Sequence, residues 1–191
     1  MIKILHHVLI DTYNTQVDEH LVSGMGTGIK QIKNLIRKYL PGCDNIYKMS
    51  RLSQLGILAV ELLNDAEALA PCGEENHDQT EETGVCLFSS SSCITADIAY
   101  QKTIQEEFFP VPGLFVYTAP NVVAGDISIK NNYSGDTCFY ILPGEDIGVM
   151  KMIIEAIYNG FEGNVIAGWL DHYSDDNYKA NIYKLNLKNG N

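Results

Sequence analysis

One helical segment of this sequence is apolar on nearly every side, and it constrains the fold more than any other feature. Between residues 145 and 159 the apolar side chains leave only a narrow polar edge, which carries Lys151 and Glu155. A helix with this pattern is stable when other parts of a protein cover most of its surface. The preceding run, residues 137–142, is apolar or neutral throughout and ends at Pro143, which is typical of a central strand. The sequence therefore predicts a central strand that leads directly into a buried helix.

Strand-like and helix-like patterns alternate along the rest of the chain. The other predicted strands are residues 3–10, 85–88, 164–170 and 181–187, the last of them at a sheet edge. The other predicted helices are residues 28–40, 49–64 and 96–107, with one more starting near residue 120. The acidic segment 71–83 lacks periodicity and is expected to be a surface loop. This alternation is typical of an α/β sheet, largely parallel, that helices cover on both faces.

Composition and charge narrow the class of protein. The 191 residues are 46% hydrophobic and 19% charged, which fits one globular domain, residues 1–191. A formal net charge of −11 disfavours general binding to nucleic acid, because a phosphate backbone repels an acidic protein. No apolar run reaches the length of a membrane span.

The cysteines and histidines give no sign of a metal site. The five cysteines are odd in number and form no CxxC pair, so we expect buried thiols in a reducing cytoplasm. No His or Cys pair has the spacing of metal ligands, and we expect neither a metal nor another cofactor. Asp171, His172, Asp175 and Asp176 could suggest a cation site, but such a cluster after a strand is more typical of a solvated turn.

Four motifs follow one another in order between about residues 47 and 171. They are KMSRLS at 48–53, GVCLFSS at 84–90, FP at 109–110 with APNVVAGDISI at 119–129, and SGD at 134–136 with NGFEGNVIAGW at 159–169. Their order and spacing resemble the N-terminal half of a β-ketoacyl-acyl-carrier-protein synthase of the thiolase-like superfamily. The resemblance implies an α/β half-domain, layered α-β-α, with a mostly parallel mixed sheet around a buried helix.

The chain departs from this family where the family keeps its nucleophilic cysteine, between the central strand and the buried helix. There the helix dipole favours a thiolate. Here Gly144 or Glu145 occupies that place, and the Glu145 and Asp146 carboxylates would discourage a thiolate or an oxyanion. The family's two histidines and its lysine are expected in a second half that this sequence lacks. The resemblance therefore implies no catalytic residue.

The resemblance also implies partners. A catalytically degenerate subunit would serve acyl-carrier-protein-dependent fatty-acid or polyketide-like biosynthesis, paired with itself as a homodimer or with an active ketosynthase. The family's dimers pair strands edge to edge, which here would use Thr137, Cys138, Phe139, Tyr140, Ile141 and Leu142. An acidic acyl carrier protein could dock on a basic stripe along the first helix, although a solvated helix face is the simpler interpretation. The basic stripe consists of Lys30, Lys33, Arg37 and Lys38.

Two other functions stay open at this point. The first is an acyltransferase or thioesterase with a relocated nucleophile, Cys93 or Cys138, which would need a base such as His172 or His77. A structural thiol is the simpler interpretation of both cysteines. The second is a stand-alone binding domain whose old acyl pocket holds a small ligand.

Overall fold

A computed structural model describes residues 1–69, 82–105 and 108–188, which form a seven-stranded sheet with helices on both faces. The strands are β1 (Ile2–Asp11), β2 (Thr15–Val17), β3 (His20–Leu21), β4 (Thr83–Ser89), β5 (Thr137–Ile141), β6 (Gly163–Ser174) and β7 (Asn177–Leu187). The helices are α1 (Gly28–Tyr39), α2 (Arg51–Leu69), α3 (Ile94–Gln105), α4 (Pro112–Val116), α5 (Asn121–Asn131) and α6 (Ile147–Ile157), with a 3₁₀ turn at Asp44–Lys48. The α/β class is confirmed. Most of the predicted acidic loop, residues 70–81, lies outside the described residues, and the single-domain assignment of 1–191 stays a prediction.

The sheet is mixed, with the strand order β3-β2-β1-β7-β6-β4-β5. Strands β1, β4, β5 and β6 run in one direction, as a largely parallel sheet predicts. Strand β7 runs the other way and lies between β1 and β6. Among the described strands only the β4–β5 and β4–β6 pairings are therefore parallel. The expectation of a mostly parallel sheet is confirmed for the common direction of these four strands. It is wrong for the pairing of neighbouring strands, most of which are antiparallel.

Two strands exchange the places that the sequence predicted for them. The strand at 181–187, predicted at an edge, belongs to β7, which forms a hairpin with β6 and also pairs with β1. The strand at 137–142, predicted to be central, is β5, which lies at the sheet edge and pairs with β4. Strand β5 is apolar because both of its faces are covered: Phe139 packs against the α2 side, while Cys138 and Tyr140 pack against the α6 side. Apolarity reports whether the faces are covered and says nothing about the edge.

The larger hydrophobic core lies between the sheet and helix α2. Leu52, Leu55, Leu58 and Leu62 of α2 are buried, and the helix contacts β1, β6 and β7 as well as α1 and α5. Gly56 allows this packing, because a Cβ atom there would lie 3.1 to 3.3 Å from side chains of β6 and α5. Helix α2 is therefore the helix that the rest of the chain buries on most of its sides.

Helix α6 packs on the opposite face of the sheet and is covered on one side alone. Met150 and Ile154 are buried against β4 and β6, and Tyr158 continues the same contact. On the other side of the helix Met152 is 62% exposed, and Ile147, at the start of the helix on the sheet-facing side, is 64% exposed. The prediction that this helix is buried on most sides is therefore wrong for the isolated chain, because no described segment covers its outer face.

The start of α1 is fixed against the β6–β7 turn by a close backbone contact at Gly28. Its φ angle is +56°, and a Cβ atom there would collide with a carboxylate oxygen of Asp176. The Tyr178 hydroxyl donates to the Gly28 carbonyl oxygen at 2.8 Å, which holds the helix start against the sheet. The glycine at this position therefore serves packing and backbone geometry.

A single carboxylate, Asp171, organises the loop after β4. Its oxygens accept hydrogen bonds from the hydroxyls of three consecutive serines, from two backbone N–H groups of the same loop and from the Trp169 indole at 2.8 Å. The serines are Ser89, Ser90 and Ser91. Burial raises the pKa of Asp171, but the hydrogen bonds from Ser89, Ser91 and Ser90 outweigh it and hold that pKa below its ordinary value. Asp171 thereby ties the end of β4 to β6.

We expect Gly28→Ala to destabilise the protein by about 2–4 kcal/mol, because the cost of the left-handed conformation adds to a tight contact, 3.2 Å, with the backbone carbonyl oxygen of Asp175. The matched control is Gly24→Ala, which has a φ angle of +79° but no atom within 4 Å of the added Cβ. It should lose only about 1–2 kcal/mol. Urea unfolding of both variants measures the difference, and equal losses would show that the contact at Gly28 has no energetic role.

We expect Asp171→Asn to lower the free energy of unfolding at pH 7 by about 2 kcal/mol, because an amide cannot accept this set of donors. A carboxylate with a lowered folded-state pKa contributes stability above its unfolded pKa, and this contribution is lost as the pH falls through the folded pKa. The gap between wild type and variant should therefore narrow below about pH 4. The exposed Asp97→Asn is the control, and a gap that stays constant down to pH 2 would contradict this role.

Candidate functional site

The junction between β5 and α6 is the place where the family resemblance puts a nucleophile. The Leu142 N–H donates to the Ser89 carbonyl oxygen at 2.9 Å, so the end of β5 stays paired with the end of β4. Gly144 is exposed, and nothing lies within 4 Å of where its Cβ would be. Asp146 is the N-cap of α6, and its carboxylate accepts a hydrogen bond from the Val149 N–H at 3.1 Å. The helix N-terminus is thus capped by a side chain of its own segment.

Glu145 turns away from the helix axis and joins a polar network on β7. Its carboxylate forms an ion pair with the Lys179 ammonium group and accepts a hydrogen bond from the Asn181 amide at 2.5 Å. The side-chain amide oxygen of Asn181 is in turn 2.6 Å from the Nε2 atom of His7 on β1. The His7 ring stacks on Tyr183 with centroids 4.4 Å apart. This network, defined as Glu145, Lys179, Asn181 and His7, links the α6 junction to two neighbouring strands.

The network is suited to holding position and unsuited to nucleophilic catalysis. The Glu145 side chain is only 20% exposed, and both of its oxygens have hydrogen-bonding partners, one of them a cation. A carboxylate whose oxygens are already engaged by Lys179 and Asn181 is a poor nucleophile or base. No thiol or hydroxyl lies between β5 and α6, because that segment reads Leu142 to Asp146 without Cys, Ser or Thr. The junction therefore fixes the start of α6 without offering a group that could form an acyl-enzyme.

Cys93 has the features of a structural thiol. It is buried just before α3, and burial raises its pKa to about 11, with only partial opposition from a hydrogen bond to Ser92. A reactive cysteine needs a lowered pKa and a nearby base. Within the described residues neither ring nitrogen of His172 has a hydrogen-bonding partner, so His172 does not serve Cys93, and His77 lies outside those residues.

Cys138 lies on β5 directly opposite Cys86 of β4. Its thiol donates to the Val85 carbonyl oxygen at 3.7 Å, and it packs against the α6 side of the sheet. The pKa of Cys86 is raised by its Cys138 neighbour and by burial. The two thiols face each other with no imidazole or carboxylate hydrogen-bonded to either, an arrangement typical of packing residues.

The acidic cluster after β6 is split by the structure. Asp171 and His172 are buried, whereas Asp175 and Asp176 form the turn between β6 and β7. The interpretation of a solvated turn is therefore wrong for the first two residues. Burial lowers the pKa of His172 to about 4, so the ring is neutral at pH 7. Among residues 1–69, 82–105 and 108–188 no group of acidic, His or Cys side chains could hold a metal ion.

The basic stripe lies along the solvent side of α1. All four of its members, Lys30, Lys33, Arg37 and Lys38, are exposed. None of them forms an ion pair in the described part of the chain, and Lys38 lies 4.7 Å from the centre of the Tyr39 ring. The buried side of α1, with Ile32, Leu35 and Ile36, holds these cations in fixed relative positions. The stripe is available to an acidic partner.

Much of the exposed apolar surface comes from the α3-to-α6 part of the chain. Strand β5 carries Ile141, which is 53% exposed, at the edge of the sheet. The segment around α4 adds two strongly exposed aromatic residues, Phe108 at 86% and Phe109 at 69%. Large apolar side chains exposed in this way are candidates for interaction sites. The sequence pointed to β5 as an interface strand, but it gave no sign of the aromatic residues near α4, because single Phe residues in a loop form no pattern.

No helix in the part of the chain that the structure describes is long and apolar enough to cross a membrane. Two hollows of the described surface, beside Arg37 and beside Met1, have volumes of about 190 Å³ and 240 Å³ and are open to solvent. Small-molecule sites are usually larger and more enclosed. The surfaces described above are therefore better candidates for function than any cavity.

Comparisons with known proteins give matches among solved structures alone, since no family model and no curated protein matches the chain. The ishigamide ketosynthase/chain length factor is 15% identical with a TM-score of 0.60, and the match covers 97% of this chain and 62% of that chain. A ketosynthase (ApeO) in complex with its chain length factor (ApeC) from Xenorhabdus doucetiae is 10% identical with a TM-score of 0.63, covering 99% and 80%.

A third match is the AntDE:AntF complex of a type II polyketide synthase acyl-carrier protein with its ketosynthase bound to the hexaketide. It is 15% identical with a TM-score of 0.59, and the match covers 97% of this chain and 62% of that chain. The chain thus spans about 62% of the length of two of the chains that it matches. The chain has the fold of ketosynthases and chain length factors, which confirms the thiolase-like fold that the sequence predicted.

Proposed function

We propose that this protein is a non-catalytic accessory subunit that works with an active ketosynthase in acyl-carrier-protein-dependent fatty-acid or polyketide-like biosynthesis. The observation that carries the proposal is the β5–α6 junction in a ketosynthase-type fold. A neutralised carboxylate lies where the family resemblance implies a nucleophilic thiol. The solved structures with the same fold include a ketosynthase in complex with its chain length factor.

The junction explains why the subunit would lack condensing activity of its own. Chain transfer in a ketosynthase needs a thiolate at the helix N-terminus, where the dipole stabilises negative charge. Here Gly144 has no side chain, Glu145 is paired with Lys179, and Asp146 already occupies the helix N-terminus as its cap. A further negative charge placed there, thiolate or oxyanion, would meet two carboxylates.

The edge strand β5 is the surface that we assign to the ketosynthase partner. Its residues Thr137 to Ile141 pair with β4 on one side, and in the described part of the chain nothing pairs with the other side. An open edge strand offers a row of backbone donors and acceptors to a strand of another protein. Strand β5 carries no charged side chain, and its exposed end at Ile141 adds apolar contact. Leu142, just after the strand, stays bonded to Ser89 and would end the paired segment.

The basic stripe is the surface that we assign to the acyl carrier protein. Its four cations form no ion pair with any other described residue, on a protein whose formal net charge is −11, so an acidic partner would be steered to this helix and away from the rest of the surface. We place the protein in the cytoplasm, where its free thiols stay reduced. Those described are Cys43, Cys86, Cys93 and Cys138.

We expect Ile141→Lys to weaken the complex with the partner ketosynthase at least about tenfold, because it puts a charge on an apolar interface strand. Leu21→Lys is the matched control, since Leu21 is similarly exposed, at 61%, and lies on β3 at the opposite edge of the sheet. Light scattering and titration calorimetry with candidate ketosynthases measure both variants. Failure of the wild-type protein to bind any ketosynthase, or condensation activity of the protein alone, would overturn the proposed function.

We expect the double variant Lys33→Glu with Arg37→Glu to reduce the affinity for acyl carrier protein by about tenfold or more. The wild-type affinity should fall as salt rises, whereas the variant should depend on salt only weakly. Lys48→Glu is the control, because Lys48 is exposed outside α1. Equal binding by all three proteins would leave the stripe as a solvated helix face and would not affect the assignment of β5.

A further inference from the structure

Two cysteines lie side by side on neighbouring strands of the sheet. Cys86 of β4 and Cys138 of β5 are partners in the parallel register, and both side chains lie on the α6 side of the sheet. Neighbouring strands are about 4.7–4.9 Å apart, and a disulfide spans Cα separations of about 4.4–6.8 Å. Both thiols are free. The fold therefore holds two thiols at a separation at which a disulfide can form between them.

The two thiols differ in access and in acidity. Cys86 is fully buried, whereas Cys138 lies on the edge strand and is only partly buried. The hydrogen bond with Cys138 raises the pKa of Cys86, and burial raises it further. The hydrogen bond from the Cys86 thiol lowers the pKa of Cys138 and outweighs the opposing effect of burial. A small oxidant therefore reaches Cys138 first and finds the more acidic of the two thiols there.

Oxidation of such a pair makes smaller demands than acyl transfer. A cysteine that transfers an acyl group needs a neighbouring base, and neither Cys86 nor Cys138 has one. A thiol that reduces a peroxide needs some thiolate, access for the oxidant and a second thiol that completes the reaction. Cys93 differs on the first two points, because it is buried and its pKa is raised to about 11. It therefore serves as an internal control.

We propose that Cys86 and Cys138 form a reversible disulfide when hydrogen peroxide oxidises the protein, with Cys138 reacting first and Cys86 completing the bond. The Cys138 thiolate attacks one peroxide oxygen, the O–O bond breaks, and the released hydroxide takes up the proton of the original thiol to give water. Cys138 is then a sulfenic acid. The Cys86 sulfur attacks its sulfur atom, the S–O bond breaks, and the hydroxyl group leaves with the Cys86 proton as a second water. The two sulfurs lose two electrons in total, and the peroxide gains them.

The surrounding sheet makes this disulfide easy to reduce. Strands β4 and β5 are paired continuously from Val85 and Thr137 to Ser89 and Ile141, so the Cα atoms of the two cysteines stay near the strand spacing. This spacing is shorter than the roughly 5.5–6 Å at which disulfides are most common, and a strained disulfide is reduced readily. The inference does not depend on the proposed function, because it uses the β4–β5 pairing alone.

The first experiment treats the reduced full chain with hydrogen peroxide and counts the free thiols after denaturation. The count should fall by two from the five cysteines of the sequence, and dithiothreitol should restore it. Digestion without reduction, followed by mass spectrometry, should identify two peptides linked through Cys86 and Cys138. An unchanged thiol count, a bridge to any other cysteine instead of this one, or a loss that dithiothreitol does not reverse would overturn the inference.

Alanine variants test the order of the two steps. Cys86→Ala should leave Cys138 as a sulfenic acid that dimedone labels, because the completing thiol is absent. In Cys138→Ala the labelling of Cys86 should be lower by at least about tenfold, since burial keeps the oxidant away. Cys93→Ala is the control and should form the same bridge as wild type. Equal labelling of Cys86 and Cys138 in the two variants would overturn the assigned order. Circular dichroism checks that each variant folds, and the wild-type peptide map tests the bridge without any variant.

Discussion

The need of helix α6 for cover on more than one side shapes much of this molecule. Strand β5 leads directly into the helix, and the Asp146 carboxylate caps the first turn of α6 by accepting a hydrogen bond from the Val149 N–H. Met150 and Ile154 then fix the helix on the sheet, so its outer face is held in place before any partner arrives. A rigid apolar surface is a better interface than a mobile one, because little conformational entropy remains to be lost on binding. The same constraint thus sets the layering of the chain and fixes the surface that α6 would offer to a partner.

The polar network at the junction shows how a fold can keep its geometry without a nucleophile. Partly buried ion pairs add little net stability, because desolvation offsets much of their attraction. Lys179 is 42% exposed, which weakens the pair further through solvent screening. The contribution of Glu145 is therefore orientation: together with Asn181 and His7 it ties the start of α6 to β7 and β1. A cysteine at the same place would form none of these contacts.

Sequence patterns predicted the order of the helices and strands. They did not predict where each strand lies in the sheet, because that depends on pairing between distant segments. The alternation of strands and helices located most elements to within a few residues, since hydrophobic period is a local property. The alternation of β7 is typical of a half-exposed edge strand, but β6 and β1 pair with it on its two sides and bury it between them. Strand β5 was placed centrally because its faces are apolar. Which strand lies at an edge depends on topology, and no single segment encodes it.

The candidate site shows the same contrast. Features set by residues close together in the sequence could be predicted, and contacts across the sheet could not. The missing thiol at Gly144 and Glu145 and the exposure of the basic stripe could be anticipated, because each concerns residues adjacent in sequence or on one helix. The partner of Glu145 could not, since Lys179 lies 34 positions away and reaches it only through the sheet. The Asp171 cluster was mistaken for a solvated turn for the same reason, as its serine donors come from another strand end about 80 residues earlier.

The basic stripe and the uncharged edge strand β5 lie at opposite ends of the sheet. Helix α1 lies beside α2, and its buried Gln31 bonds to Thr15 of β2, so the basic stripe belongs to the β1–β2 end of the sheet. Strand β5 lies at the far end of the same sheet and carries no charge. An acidic carrier attracted to the stripe and a ketosynthase strand paired with β5 would therefore not compete for space. Both contacts can then coexist on one small chain, and binding at one surface should leave affinity at the other unchanged unless the sheet itself deforms.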